Sequence, residues 1–275
     1  MHRISAALLA ALTSAVAPQA LADAYDGLRP HRAVYDVSLQ RASERAGITA
    51  MNGRIVYEST GSRCEGYSTQ FRFVVEARTG RRTVTSDERT TTFESAGSDR
   101  LDFISASYLN GQKEREQRGS ATNSSDGVMV ELQKPAEESI ELSPAIFPTK
   151  HVTSLIEAAQ AGETLLSSAV FDGSGEDIAV VDTLAVIGAK KTVDKAFEGE
   201  DESVQAAFGT QKAWPVSVSY FDTGVTAGEG ERTPQYQVSF KLFENGATRD
   251  LTMRFPDYAL RARMKQIEFL PQGDC

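Results

Sequence analysis

Phe147-Pro148-Thr149-Lys150-His151-Val152-Thr153-Ser154-Leu155-Ile156-Glu157-Ala158-Ala159-Gln160-Ala161-Gly162-Glu163 is the one helical stretch in a chain that otherwise reads as strands. Val152, Leu155, Ile156 and Ala159 recur at the spacing that lines up side chains on one side of a helix. Pro148 is tolerated in a first turn, and the Thr149 hydroxyl offers an acceptor for an orphan amide. Gly162 supplies the stop. Four turns of helix are marginal alone, so the apolar stripe must be buried against a sheet, and the rest of the chain is expected to curve around it.

On the N-terminal side the pattern is alternation. Ala33, Tyr35, Val37 and Leu39 face one way and Asp36, Ser38 and Gln40 the other, as in a half-buried strand. Ser43 to Gly47 reads as a polar connection, Asn52-Gly53 as a turn, and Arg54 to Glu58 as the next strand. Further strands are expected at Thr69 to Val75, Arg82 to Phe93, around Leu101 and Phe103, and at Val128 to Leu132, punctuated by Thr79-Gly80, Asn110-Gly111 and Asp126-Gly127. Pro135 to Pro148 reads as irregular.

Beyond the helix, Leu165 to Phe171 and Ile178 to Ile187 are apolar or β-branched, Asp172-Gly173-Ser174-Gly175 is a turn, and the charged Lys190 to Ser203 reads as a surface excursion. Val216, Val218 and Tyr220 alternate with serines, and Gly224 to Thr233 is a polar loop. Tyr236 to Phe255 is a hairpin about Glu244-Asn245-Gly246, for which a type I′ turn is expected. Leu260, Ala262 and Met264 alternate with Arg261, Arg263 and Lys265, a basic stripe expected to be a solvated strand face. Turn signals roughly 8 to 12 residues apart are those of an antiparallel sandwich or barrel.

The chain has 275 residues, 40% of them hydrophobic, and a net charge of −9. That suffices for a core and argues against nucleic acid, which needs a clustered basic face. Met1-His2-Arg3, the apolar run Ile4 to Ala17 and Ala20-Leu21-Ala22 have the form of a signal peptide cleaved after Ala22. No later run approaches the roughly 20 apolar residues of a membrane span. An exported chain with two cysteines, Cys64 and Cys275, favours a disulfide, although free thiols or an intermolecular bond are alternatives. A bond between them would close most of the chain, for which the chain-entropy account gives about 5 kcal/mol as an upper figure.

Chemistry requires convergent groups. After leader removal only His31 and His151 remain of the three histidines, and neither has metal-ligand spacing. No Gly-x-Ser-x-Gly or Ser-x-x-Lys string occurs. Gly173-Ser174-Gly175 reads as a loop, His151 as a packing or capping residue, and Trp214 as a core anchor. Asp99 with Asp102 could form a carboxylate pair, but spacing alone does not define the separation glycoside chemistry needs. No catalytic residue, cofactor or metal is expected.

Taken in order, His31 to Val37, Gly53 to Glu58, Cys64, Phe147-Pro148-Thr149, Leu155 to Ala159, Ala161-Gly162-Glu163, Phe171 to Ser174, Ala213-Trp214-Pro215-Val216, Glu244-Asn245-Gly246 and Cys275 resemble the cell envelope integrity protein B (EipB-type) family of alphaproteobacteria. The resemblance spans the mature chain. It implies a mainly β fold, a curved antiparallel β-spiral or open barrel-like sheet with one central amphipathic helix, formed by a single domain over residues 23–275 after a signal peptide of residues 1–22. Cys64 and Cys275 match the family's disulfide pair. The implied role is non-enzymatic and periplasmic, supporting envelope integrity through a protein or envelope component. The alternative is a carrier or sensor holding a lipid or lipoprotein acyl chain in the concave face.

Overall fold

The computed structural model describes residues 27–175, 177–222 and 232–273. The expected leader over residues 1–22, most of the Gly224 to Thr233 loop, and Cys275 lie outside them. The elements are β1 (His31–Ala42), β2 (Ile48–Ser62), β3 (Gly66–Thr79), β4 (Arg82–Glu94), β5 (Arg100–Leu109), β6 (Gln112–Asn123), β7 (Val128–Lys134), β8 (Glu138–Leu142), α1 (Pro148–Ala161), β9 (Leu165–Val170), β10 (Val181–Ile187), β11 (Lys191–Val193), α2 (Glu202–Phe208), β12 (Gln211–Asp222), β13 (Tyr236–Phe243), β14 (Thr248–Arg254) and β15 (Tyr258–Phe269).

All 15 strands belong to one antiparallel sheet, ordered β8-β7-β6-β5-β4-β3-β2-β1-β15-β14-β13-β12-β10-β9, with β11 paired to β12. The first strand pairs with the last, His31 opposite Phe269. The sheet does not close. Near its edges, β8 and β9, Ile146, past the end of β8, donates to the Ala169 carbonyl at 2.8 Å and accepts from Phe171 at 3.0 Å. This is the open, curved antiparallel sheet expected from the sequence.

The helix buries its stripe as the periodicity predicts. Leu155, Ile156, Ala158 and Ala159 pack on Ala185 and Ile187 of β10, Trp214, Val216 and Val218 of β12, and Leu242 of β13. Full burial contributes about 2 kcal/mol for each of Leu155 and Ile156. A second cluster joins β1, β14 and β15 to α2, and a third joins β5 to β7 to Phe147, Phe171 and Val180.

Several expectations differ. Asn52-Gly53 is not a turn but lies inside β2, where Gly53 is opposite Val37 and Val75. A Cβ at Gly53 would stand 2.2 Å from the Val74 carbonyl oxygen, so this glycine permits close strand approach rather than reversal. The reversal falls at Ser43 to Gly47, through a short 3-10 turn. Asn110 and Gly111 both have positive φ, 51° and 80°, as a type I′ turn demands. At Glu244-Asn245-Gly246 only Gly246 does. Gly246 donates to the Phe243 carbonyl and Phe243 to the Ala247 carbonyl, each at 3.0 Å. The connection is therefore a three-residue loop with a left-handed glycine, not type I′. The stretch Pro135 to Pro148 contains β8, and among the described residues α2 accompanies the sheet in addition to the expected α1.

Candidate functional site

The concave face of the spiral is the surface on which function can be sought, and two intrusions shape it. The first is α1. Phe147 occupies the N-cap position without a side-chain hydrogen bond, and Thr149 is not the cap its hydroxyl suggested. Glu94, the last residue of β4 and 1% exposed, reaches the helix instead. Its carboxylate accepts from the backbone amides of Thr149 at 2.6 Å and Lys150 at 3.1 Å, and from the Ser98 hydroxyl at 2.7 Å. A carboxylate there satisfies orphan donors and complements the helix dipole. At the other end Gly162, φ 80°, donates to the Ala158 and Ala159 carbonyls, the predicted stop.

His151 is buried within α1. Its Nε2 lies 3.4 Å from the Thr183 hydroxyl oxygen, which itself donates to the Ser168 carbonyl at 2.9 Å. Burial pushes its imidazole down to about 4. His31 is also buried, and its Nδ1 donates to the Arg29 carbonyl at 2.8 Å. Burial lowers its pKa, partly opposed by that hydrogen bond. Neither histidine is hydrogen-bonded to a serine and a carboxylate among the described residues, the arrangement a serine hydrolase requires. Asp99 and Asp102 have separate partners, the Ser95 hydroxyl at 2.5 Å and Arg100 at 2.6 Å. Ser174 donates to Asp172 in a local turn. Trp214 is a core residue, with Lys190 4.2 Å from its ring centroid.

The second intrusion is the segment expected to be a surface excursion. Lys191–Val193 pairs with β12, and Asp201 caps α2 by accepting from the Ser203 amide at 2.9 Å. Val204 and Phe208 pack among Tyr35, Phe243 and Met264. Glu200 forms an ion pair of 2.5 Å with Arg249, both side chains 0% exposed. The Arg249 guanidinium also donates twice to the Gln205 side-chain oxygen at 3.2 Å and lies 4.8 Å from the Phe208 ring centroid. Glu200 accepts further from the Phe197 amide at 3.0 Å. The basic stripe is likewise not a free solvated face. Arg261 bonds the Glu198 carboxylate at 3.1 Å, Arg263 the Glu198 carbonyl at 2.8 Å, and Lys265 the Gly199 carbonyl at 2.7 Å. Charges about 50 to 65 positions apart are joined by the fold, so no local spacing announces them.

Between the intrusions the concave wall keeps half-buried apolar side chains, including Phe71, Phe73 and Val238. Four rings, on β12, β13 and β15 and at Phe255 just past β14, form a ladder across it. Tyr220 and Tyr236 stack at 4.4 Å, Tyr236 and Phe255 at 5.8 Å, and Phe255 and Tyr258 at 4.6 Å between centroids. Burial pushes the Tyr220 hydroxyl up to about 12 and raises that of Tyr236 as well. Alternation in the sequence puts these rings on one face, but their pairing depends on the register that sets Tyr220 opposite Tyr236.

The sequence profile of the EipB-like family matches residues 22–271. The chain belongs to the EipB-like family. It is 36% identical over 247 residues to cell envelope integrity protein EipB of Brucella abortus (strain 2308), covering 90% of this chain and 86% of that protein. A crystal structure of a beta-barrel-like protein of the domain of unknown function DUF1849, from Brucella abortus, superposes with a TM-score of 0.81 at 36% identity, covering 89% of this chain and 99% of that one.

In this EipB-like chain Cys64 lies in the connection between β2 and β3. Gly273 reaches the same connection: a Cβ on it would lie 2.4 Å from the Glu65 carboxylate and 3.5 Å from the Ser62 hydroxyl oxygen. Cys275, two residues further, is outside the described residues. Among the described residues no group of three or more His, Cys, Asp and Glu could hold a metal ion, and no helix is long and apolar enough to cross a membrane.

Proposed function

We propose that this EipB-like chain is a non-enzymatic periplasmic protein that supports cell envelope integrity through contacts with a protein or another envelope component. The observation that carries this reading is the 36% identity, across 90% of the chain, to a protein named for envelope integrity. The leader-like N-terminus supports export, with cleavage after Ala22 and one domain over residues 23–275. The test is removal of the gene from its host. Heightened sensitivity to detergent and chelator, restored by the full chain but not by one lacking residues 1–22, supports the proposal. Unchanged sensitivity counts against it.

Export to an oxidising compartment supports a disulfide between Cys64 and Cys275, as does the approach of Gly273 to Ser62 and Glu65. The Cys64→Ser, Cys275→Ser chain is expected to melt at lower temperature under oxidising conditions. Identical melting would remove the disulfide from the account.

A second reading, a carrier for a lipid or lipoprotein acyl chain, is favoured by the half-buried apolar wall around Phe71, Phe73 and Val238. Native mass spectrometry of gently extracted protein separates the two. A clean apo mass favours the interaction role, and a lipid adduct the carrier.

A further inference from the structure

The sheet ends in two edge strands, and they are guarded unequally. Edge strand β8 carries Glu138 and Glu141 and is preceded by Pro135 and Glu137, the kind of charge and proline that discourages strand addition. Edge strand β9 reads Leu165-Leu166-Ser167-Ser168-Ala169-Val170, with no charge and no proline. The Ile187 amide of β10 donates to the Thr164 carbonyl, so residues 164, 166, 168 and 170 turn their backbone groups towards β10, and Leu165, Ser167 and Ala169 turn theirs outward. Ile146 takes the Ala169 carbonyl. Among the described residues no hydrogen bond reaches the amides and carbonyls of Leu165 and Ser167. On the outer face beside this open window, Leu165 is 59% exposed and its cross-strand neighbour Val186 51%, the two highest exposures among the large hydrophobic side chains described.

The chemistry of the window selects its occupant. Donors and acceptors alternating along an extended backbone are matched by another extended polypeptide, whereas an acyl chain offers neither. The window closes at Ile146 on one side and at the exit of α1 on the other, which leaves about four residues, roughly 13 Å of strand. Two copies of this chain paired across so short a window would bury far less than the roughly 1,000 Å² of a stable interface. A flexible linear segment needs only the window itself. Charge gives it a direction: Glu163, two residues before Leu165, is exposed and makes no ion pair among the described residues. It stands just past the C-terminal end of α1, where the helix dipole also favours a cation.

We propose that the open window of β9 takes an extended segment of a protein partner as an added antiparallel strand. Two apolar residues of that segment, separated by one position, lie on the outer face opposite Ser167 and Leu165, exchange backbone hydrogen bonds with them and cover the exposed Leu165. A lysine or arginine two positions later meets Glu163. This names the chemistry of the partner in the protein-contact role above and rests on that reading.

The test uses the chain without residues 1–22 and the blocked peptide acetyl-Thr-Val-Thr-Val-Thr-Lys-Thr-amide, by calorimetry and by amide hydrogen exchange. Binding is expected, with slowed exchange of the Leu165 and Ser167 amides. N-methyl groups on both valines, whose amides face β9, should weaken it at least about tenfold, and an N-methyl group on the threonine between them, whose amide faces away, by no more than about threefold. Ser167→Pro keeps the ladder to β10, because the amide it removes faces outward, and should abolish binding with the fold intact. Glu163→Lys should weaken the lysine peptide roughly two- to fivefold and strengthen the one with glutamate in its place. No binding at about 1 mM peptide, equal effects of the two N-methylation patterns, or binding that survives Ser167→Pro overturns the proposal. A concentration-dependent dimer that Ser167→Pro dissolves replaces the partner segment by a second copy. Glu163→Lys without effect on either peptide overturns the basic residue. A Ser167→Pro chain that still restores envelope resistance overturns use of the window in that role. Unchanged sensitivity after gene removal instead defeats the envelope reading and leaves peptide binding standing.

Discussion

The two intrusions into the concave face are held by opposite kinds of force. Helix α1 enters with an apolar stripe and rests on β10, β12 and β13, so its placement follows from hydrophobic periodicity. The segment leading into α2 enters with Glu200 at its turn and is pinned by a fully buried Arg249. A buried carboxylate tolerates such a position only with a close, fully hydrogen-bonded partner. The comparison teaches that a run of charge signals the surface only if nothing elsewhere in the chain answers it.

The largest effect that could break this contrast is at the ion pair. Glu200→Ala leaves Arg249 buried and unpaired, and a loss of about 3 to 5 kcal/mol in denaturant-measured stability is expected. A change within about 0.5 kcal/mol, as at a surface carboxylate, would return this segment to the status of an excursion.

The next effect belongs to α1 and depends on pH. His151 titrates near 4 in the folded chain and near 6.5 when unfolded, so between those values the unfolded state binds the extra proton. Stability should fall as pH drops from about 6.5 towards 4, by up to about 3 kcal/mol. Urea midpoints for the wild type and His151→Gln should diverge from pH 7 to 4.5, with the variant less sensitive. Parallel curves would refute the buried-neutral assignment.

Smaller losses sharpen the comparison. Glu94→Ala leaves the Thr149 and Lys150 amides without their acceptor and should cost about 2 kcal/mol, read as a lower melting temperature. On the outer face, hydrogen bonds from Arg72 and Arg89 hold the Asp87 carboxyl at about 2. Its contribution is present above the unfolded value of about 3.9 and is lost as pH falls through about 2. Because the arginines are half exposed, Asp87→Asn should cost under about 1 kcal/mol at pH 7. A larger loss would put outer-face charge on a par with the buried pair.

Most of the strands, α1 and its Gly162 stop were legible because each writes its reason into neighbouring residues, whereas β8 and β11 lie in stretches that read as irregular or as a surface excursion. What was not legible depends on register or distance. Gly53 looks like a turn until Val74 is seen against it. The cap of α1 comes from Glu94, more than 50 residues upstream. Arg261, Arg263 and Lys265 look like a wet strand face until Glu198 and Gly199 are laid across them. His31 and His151 were visible as candidate residues, but only the fold shows both buried, one donating to the Arg29 carbonyl and the other beside the Thr183 hydroxyl.

The most direct test of the claim that charge, not exposure, places the second intrusion is a double-mutant cycle on Glu200→Leu and Arg249→Met, followed by urea denaturation. Each single change should be strongly destabilising, and the double change should lie within about 1 to 2 kcal/mol of the wild type, because no buried charge is then left alone. A double variant whose loss equals the sum of the two single losses would contradict the account.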